Sequence, residues 1–306
     1  MIKSLLRYLP LEFSIFIVIT IITIIAGYAI GSAIIIALYG LDALTEIAQL
    51  NLNDAHAITA LWILQIVSTT IPIFVASYVF AKFVAKDTKE YLRTTFNFPW
   101  FLLVVIFCVM LVSSPLMEAL SNINQKLTLP NFLAGLEKWM HDTENQAQKL
   151  TDVLLQMKSV SSMLMKLTVV GLLTAIVEEF MFRGCVQTIL LKWTKNSHAA
   201  VWIAAALFSA FHLEFFGFLP RLLLGALFGY FVVWSGSVWP AVWGHFINNG
   251  TAVVVSYLYQ NHKIDFNPDD THVFNWMAYL FSLIIMLFLL YLCRNIATGK
   301  MKAPFK

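Results

Sequence analysis

Long apolar runs dominate this chain. They fall near 12–38, 58–84, 99–120, 168–191, 199–217, 220–235, 238–259 and 274–293. A helix needs about 20 apolar residues to cross a hydrocarbon core of roughly 30 Å. Inside hydrocarbon every backbone N–H and C=O has to be paired within the protein, so a spanning segment is a helix or part of a closed barrel. Continuous runs of this length, without strict alternation, predict helices. The expected fold class is all-α, a polytopic transmembrane helix bundle of about eight spans forming a single integral membrane domain over 1–306. Composition agrees: 12% of residues are charged, against about 25% in a soluble domain.

Basic residues orient the bundle. With the N-terminus inside, Lys3, Arg7, Lys82, Lys86, Lys89, Arg93, Lys192, Lys195, Arg294, Lys300, Lys302 and Lys306 all lie on the inner side. The short outer loops hold only Arg221 and Lys263, together with Asp42, Glu46, Asp54, Asp265, Asp269 and Asp270. Both termini are therefore expected in the cytoplasm. The run from Phe13 to Leu38 is too long for the apolar part of a signal peptide and reads as a retained span. Compact loops and unadorned ends suit a bacterial inner (cytoplasmic) membrane. The net charge of +3 says little about partners, and basic residues carried in loops and tails, without a basic-aromatic stripe, argue against a nucleic-acid partner. Cys108, Cys185 and Cys293 lie in apolar helices without paired spacing and read as small core residues. Pro72 is expected to kink the second span.

The connection 121–167 is the exception to apolarity. Pro130 and Asn131 are positioned to open a helix, and Leu136, Met140, Ala147, Leu150, Leu154, Met157 and Leu164 then recur at helical spacing among charged residues. An amphipathic extramembrane or interfacial helix is expected between spans three and four, either covering the bundle or guiding substrate.

Three polar constellations interrupt the spans within 168–259, which marks that region as the catalytic core. Ionisable side chains at membrane depth are costly and are generally kept for function. Glu178 and Glu179 precede Arg183, and residues four apart on a helix are neighbours, so Glu179 and Arg183 should pair. Glu178, rotated about 100° away, is left to face another helix, where it can serve as a general base. Phe208 and His212 follow on the fifth span. On the seventh, His245 and Asn249 share one face, an arrangement suited either to holding an oxyanion or to bonding between helices. At 1.5 Å rise per residue, Glu178, His212 and His245 overlap in depth near the middle and inner half of the membrane. No His-Glu-x-x-His zinc helix, Gly-x-Ser-Gly serine motif or Gly-x-Gly-Asp aspartyl motif is present.

Glu178-Glu179-x-x-x-Arg183, Phe208-x-x-x-His212 and His245-x-x-x-Asn249, with the linker Leu222–Tyr230 and Ser235–Ala241, resemble the motifs of the CAAX protease and bacteriocin-processing family over about 171–251. The resemblance implies an intramembrane endopeptidase, acting on a membrane-associated protein or peptide within the lipid bilayer. Glu178 would activate water with help from His212; His245 and Asn249 would polarise the scissile carbonyl and hold the oxyanion. Glu179, Arg183 and Phe208 would shape the site. The family is often termed metallopeptidase, which would make His212 and His245 ligands of a divalent metal such as zinc. A metal-free glutamate mechanism is the alternative. The competing functions are a non-catalytic immunity or partner-binding protein of the same fold and a proton-coupled transporter. The duplicated halves common in transporters are not visible. Substrate and oligomeric state are not specified by the residues.

Overall fold

A computed structural model of the chain describes residues 9–51, 55–265, 267, 270 and 273–301, all helix or connecting turn, with no strand among the described residues. Lys3, Arg7, Asp54, Asp269, Lys302 and Lys306, used above for orientation, lie outside the described residues. α1 (Leu9–Tyr39) and α2 (Leu41–Ala48) precede α3 (Ala55–Gln65) and α4 (Ile71–Val79), which are joined through a π-helical turn at Ile66–Thr70. A second such turn, Phe80–Val84, leads to the short α5 (Thr88–Leu92) and then α6 (Phe101–Gln125). After a 3₁₀ turn at Asn131–Leu133 come α7 (Ala134–Leu154), α8 (Val160–Lys166), α9 (Thr174–Glu179) and α10 (Gln187–Thr194). The last three form one continuous rod, with π turns at Leu167–Leu173 and Phe180–Val186 on either side of α9. α11 (Ser197–Phe211), α12 (Phe218–Ser235), α13 (Trp239–Gln260) and α14 (Trp276–Ala297) complete the bundle.

Among the described residues, six helices are long and apolar enough to cross a membrane: Pro10–Tyr39, His56–Val84, Phe101–Gln125, Val160–Thr194, Phe215–Ser235 and Trp276–Ala297. The expected count was about eight, and the difference falls on the two segments that carry His212 and His245. α11 has 15 residues, about 22 Å at 1.5 Å per residue. α13 is long enough at 22 residues, but His245, Asn248 and Asn249 lower its apolarity. The sixth run, expected to be short, gains a turn at its start and reaches 21 residues. Pro72 stands in the first turn of α4, immediately after the π turn at Ile66–Thr70.

Two apolar cores position the site. One gathers Phe80, Ala175, Phe180, Phe182, Ile189 and Phe208 around α9 and α10. The other joins α6, α12, α13 and α14 through Ile106, Val109, Phe228, Phe231, Ala241 and Met286. α11 and α12 form a tight hairpin: a Cβ at Gly225 would come within 3.1 Å of the Ala205 backbone and 3.2 Å of the Phe208 ring. Asn196 caps α11, its Oδ1 accepting from the His198 and Ala199 amides. Gly236, at φ 70°, ends α12 in the left-handed conformation that glycine adopts without a Cβ penalty. Cys185 and Cys293 are buried free thiols, and Cys108 is half-buried.

The helical periodicity of 121–167 does not run unbroken. α7 stops at Leu154, and a fresh helix begins after Ser159, whose hydroxyl accepts from the Ser162 amide in a capping box. The end of α13 holds the break: Gln260 Oε1 accepts from Met157 N at 2.7 Å, and Asn261 Nδ2 donates to Met157 O at 2.9 Å. Met157 is accordingly buried at the junction, while no residue of α7 is.

Candidate active site

The glutamates stand on α9, one turn and a half of regular helix held between two π turns. π turns are frequent at functional sites because they widen the helix and release carbonyls from its ladder. Side chains take two of the carbonyls in the first turn: Thr174 Oγ1 donates to Val169 O at 3.1 Å and Asn249 Nδ2 to Val170 O at 3.3 Å. At the C-terminal end of the rod, Lys192 Nζ donates to the Tyr91 hydroxyl, which donates in turn to Glu12 Oε2, both at 2.8 Å. Burial and the Glu12 carboxylate push the Tyr91 pKa up, so the phenol stays a donor there.

Glu179 and Arg183 meet at 2.8 Å with both side chains essentially dry. Arg183 Nη2 also donates to Gly225 O at 3.0 Å, and its guanidinium lies over the Phe208 and Phe228 rings. His245 completes this group, with Nδ1 2.9 Å from the same Glu179 Oε1 and its ring stacked on Phe228. A carboxylate paired with arginine can only accept, so His245 Nδ1 carries the proton and donates.

Glu178 is placed differently. Its Oε2 is buried with no hydrogen-bond partner among the described residues, 3.8 Å from His212 Nε2 and 3.8 Å from His245 Nε2. His212 Nδ1 lies 2.9 Å from Phe208 O, and a carbonyl only accepts, so this ring too is fixed with its Nε2 facing Glu178. Phe208 forms the common wall, edge-on to both imidazoles. Residues drawn from three stretches of sequence thus converge on one carboxylate oxygen.

These groups line a cavity of about 610 Å³. Asn249 belongs to it, but its Nδ2 is turned to Val170 O, and its Oδ1 accepts from Asn248 Nδ2 at 3.2 Å. Ala147, Leu150 and Leu154 of α7 form part of the wall, and Glu144 Oε2 accepts from Phe216 N at 3.0 Å beyond it. Asn248, Glu214 and Arg221 also line the cavity, the last two joined as an ion pair. Sequence reasoning did not single them out as site residues. Asn248 had a signal in its adjacency to Asn249, whereas Arg221 had been read as an outer-loop charge.

A catalytic zinc uses three protein ligands, and two histidines with a glutamate are one such set. Bonds of about 2.05 Å at tetrahedral angles bring ligand atoms to about 3.3 Å of one another; both Glu178–histidine separations are 3.8 Å. No group of three or more histidine, cysteine or acidic side chains among the described residues is arranged to hold a metal ion. The residues as placed do not fit a zinc centre.

A family model described as type II CAAX prenyl endopeptidase, Rce1-like, matches residues 160–251. The matched segment contains Glu178, Glu179, Arg183, His212, His245 and Asn249, and is consistent with the resemblance read from the motifs. It points to a CAAX-protease-like intramembrane protease, and the six long apolar helices make the protein an integral membrane one. No curated protein and no solved structure matches the chain.

Proposed function

We propose that this protein is an intramembrane endopeptidase that hydrolyses a peptide bond in a membrane-associated protein or peptide, with Glu178 as the general base. The observation that carries this reading is the partnerless Glu178 Oε2, facing two imidazole nitrogens at 3.8 Å each. Those separations are too long for direct hydrogen bonds, and they suit a water bridging carboxylate and imidazole.

The water donates one hydrogen to His212 Nε2, which is a lone-pair acceptor because Nδ1 is held by Phe208 O. Glu178 takes the other proton as the water oxygen attacks the scissile carbonyl carbon. With Nδ1 donating to the Glu179 carboxylate, His245 in its doubly protonated form turns an Nε2–H toward the scissile carbonyl. Its Nε2–H then donates to the developing oxyanion, in a low-dielectric setting where such donors are effective. Asn249 Nδ2 adds a second donor once substrate displaces its long bond to Val170 O. As the C–N bond breaks, the proton on Glu178 passes to the leaving amine, which regenerates the base. No step requires a metal. Substrate reaches this site past α7, which roofs the cavity, and the enzyme works in a bacterial inner membrane with both termini cytoplasmic.

The experiment compares new peptide termini, by mass spectrometry, in membranes of cells carrying wild-type protein or Glu178→Gln. Termini present only with wild type are expected and identify the substrate. Identical termini from two well-expressed proteins would overturn the reading in favour of a partner-binding role.

A further inference from the structure

Asn124 lies at the end of α6, outside every motif and outside the segment 160–251. It is 3% exposed, and both halves of its amide are used. Nδ2 donates to Phe215 O at 2.8 Å and Oδ1 accepts from Leu219 N at 2.7 Å. Those two groups lie in the second half of the connection between α11 and α12 and in the first turn of α12, a connection that His212 opens at the end of α11. Leu219 N belongs to the first turn of α12, whose amides have no partner within the helix, and Gly217 at the cap position offers no side chain. Asn124 therefore caps α12 from another helix.

The turn needs such support. His212 ends α11, and Leu213 follows at φ 55° with its side chain exposed. A non-glycine residue in the left-handed region persists where its surroundings over-determine it. Here Ser209 Oγ donates to Phe218 O at 2.7 Å, and Arg221 folds back onto Glu214 through space that a Cβ at Gly217 would fill. Asn124 supplies the anchor that ties the whole turn to α6. It does not line the cavity, and its bonds reach the site through the turn.

We propose that Asn124 is a positioning residue for His212, its amide bridging Phe215 O and Leu219 N so that the imidazole presents Nε2 to Glu178. The catalytic consequence rests on the function proposed above; the placement itself does not.

Full-length protein in lipid nanodiscs is compared as wild type, Asn124→Ala, Asn124→Asp and Ser282→Ala. The last removes another buried hydrogen bond to α6, Ser282 Oγ to Val112 O at 2.6 Å, and serves as the stability control. With ¹⁵N-labelled histidine, and His212→Gln for assignment, the His212 ring signals are expected to report one Nδ1–H tautomer in wild type and Ser282→Ala. Asn124→Ala should show a mixture, and Asn124→Asp, which keeps the acceptor for Leu219 N, should fall between. On a peptide spanning the Glu178-dependent cleavage site, Asn124→Ala should lower kcat by about 100-fold, the scale of a 1 Å misplacement, with KM nearly unchanged. Unmoved His212 signals in Asn124→Ala, or equal movement in Ser282→Ala, would overturn the proposal. Absence of Glu178-dependent cleavage in wild type would instead sink the endopeptidase reading, while the ring signals still decide the placement.

Discussion

Glu178 and Glu179 are adjacent in sequence and live in opposite circumstances. Around Glu179 the structure is dry and closely packed: Arg183 and His245 both donate to Oε1, Phe208 and Phe228 flank the guanidinium, and Oε2 is buried away from the cavity with no hydrogen-bond partner among the described residues. Around Glu178 there is a cavity, an oxygen without a partner and two imidazole nitrogens beyond bonding distance. The Oε1 of Glu179 has its two charged partners already in place, whereas the Glu178 oxygen opens on a cavity where its interactions are still to be made. Preorganised charge and an unsatisfied base side by side are what a hydrolytic site needs, since the reacting water has to complete the second set.

The sharpest way to break this comparison is to disable the open half. Glu178→Ala and His212→Ala are each expected to abolish detectable cleavage, a loss of at least about 100- to 10,000-fold for a general base and its partner. Thermal midpoints in detergent should stay close to wild type, because neither side chain holds a packed network. A well-folded Glu178→Ala protein that still cleaves at the wild-type rate would remove Glu178 from the role of base.

Disabling the dry half should do the reverse, with a large effect on folding first. Glu179→Ala strands the Arg183 guanidinium, 1% exposed, and losing one partner of a buried pair destabilises by about 3–5 kcal/mol. Yield and thermal midpoint are the measurements, and Glu179→Ala with Arg183→Met should recover part of both without recovering cleavage. A Glu179→Ala protein with an unchanged midpoint would mean that the two halves do not differ in kind.

How much of this was readable beforehand follows the same division. The Glu179–Arg183 pair was legible because an i,i+4 spacing makes the two neighbours whatever the helix packs against. The all-helical bundle was legible from long apolar runs, and so was the likeness of 171–251 to the family that the matched segment bears out. The exact span count was not: α11 and α13 depart from span-like length or apolarity because they carry the site. Nor was the bond from His245 to Glu179, which depends on the rotation the π turns give α9, and no local pattern marks a π turn. Asn124 and Arg221 were invisible for a further reason. Their partners in the 214–219 turn are set by how α6 and α12 meet, information that no window of sequence contains.

A smaller effect sharpens the boundary between the halves. Asn249 stands one turn from His245, and its amide is committed to Val170 O at 3.3 Å and to Asn248. If substrate displaces the longer bond, Asn249→Ala should lower kcat by about 100-fold, the scale for one oxyanion donor, and leave KM within a few-fold. An equal rise in KM with kcat intact would place Asn249 in substrate binding instead.

The smallest expected effect tests the comparison most directly. Treating purified protein with a strong chelator should change the cleavage rate by less than about twofold, and added zinc should not raise it. Catalytic zinc coordinated by Glu178, His212 and His245 would use three protein ligands, and Glu178 could then no longer act as a free base. The open half would become a second closed network, with His245 shared between both. In that case Glu178→Gln would lose bound metal together with activity, and its thermal midpoint would fall, because metal binding contributes folding free energy. An unchanged midpoint in Glu178→Gln with chelator-resistant wild-type cleavage would leave the carboxylate as a base waiting for water, and the contrast between neighbouring glutamates as the working principle of the site.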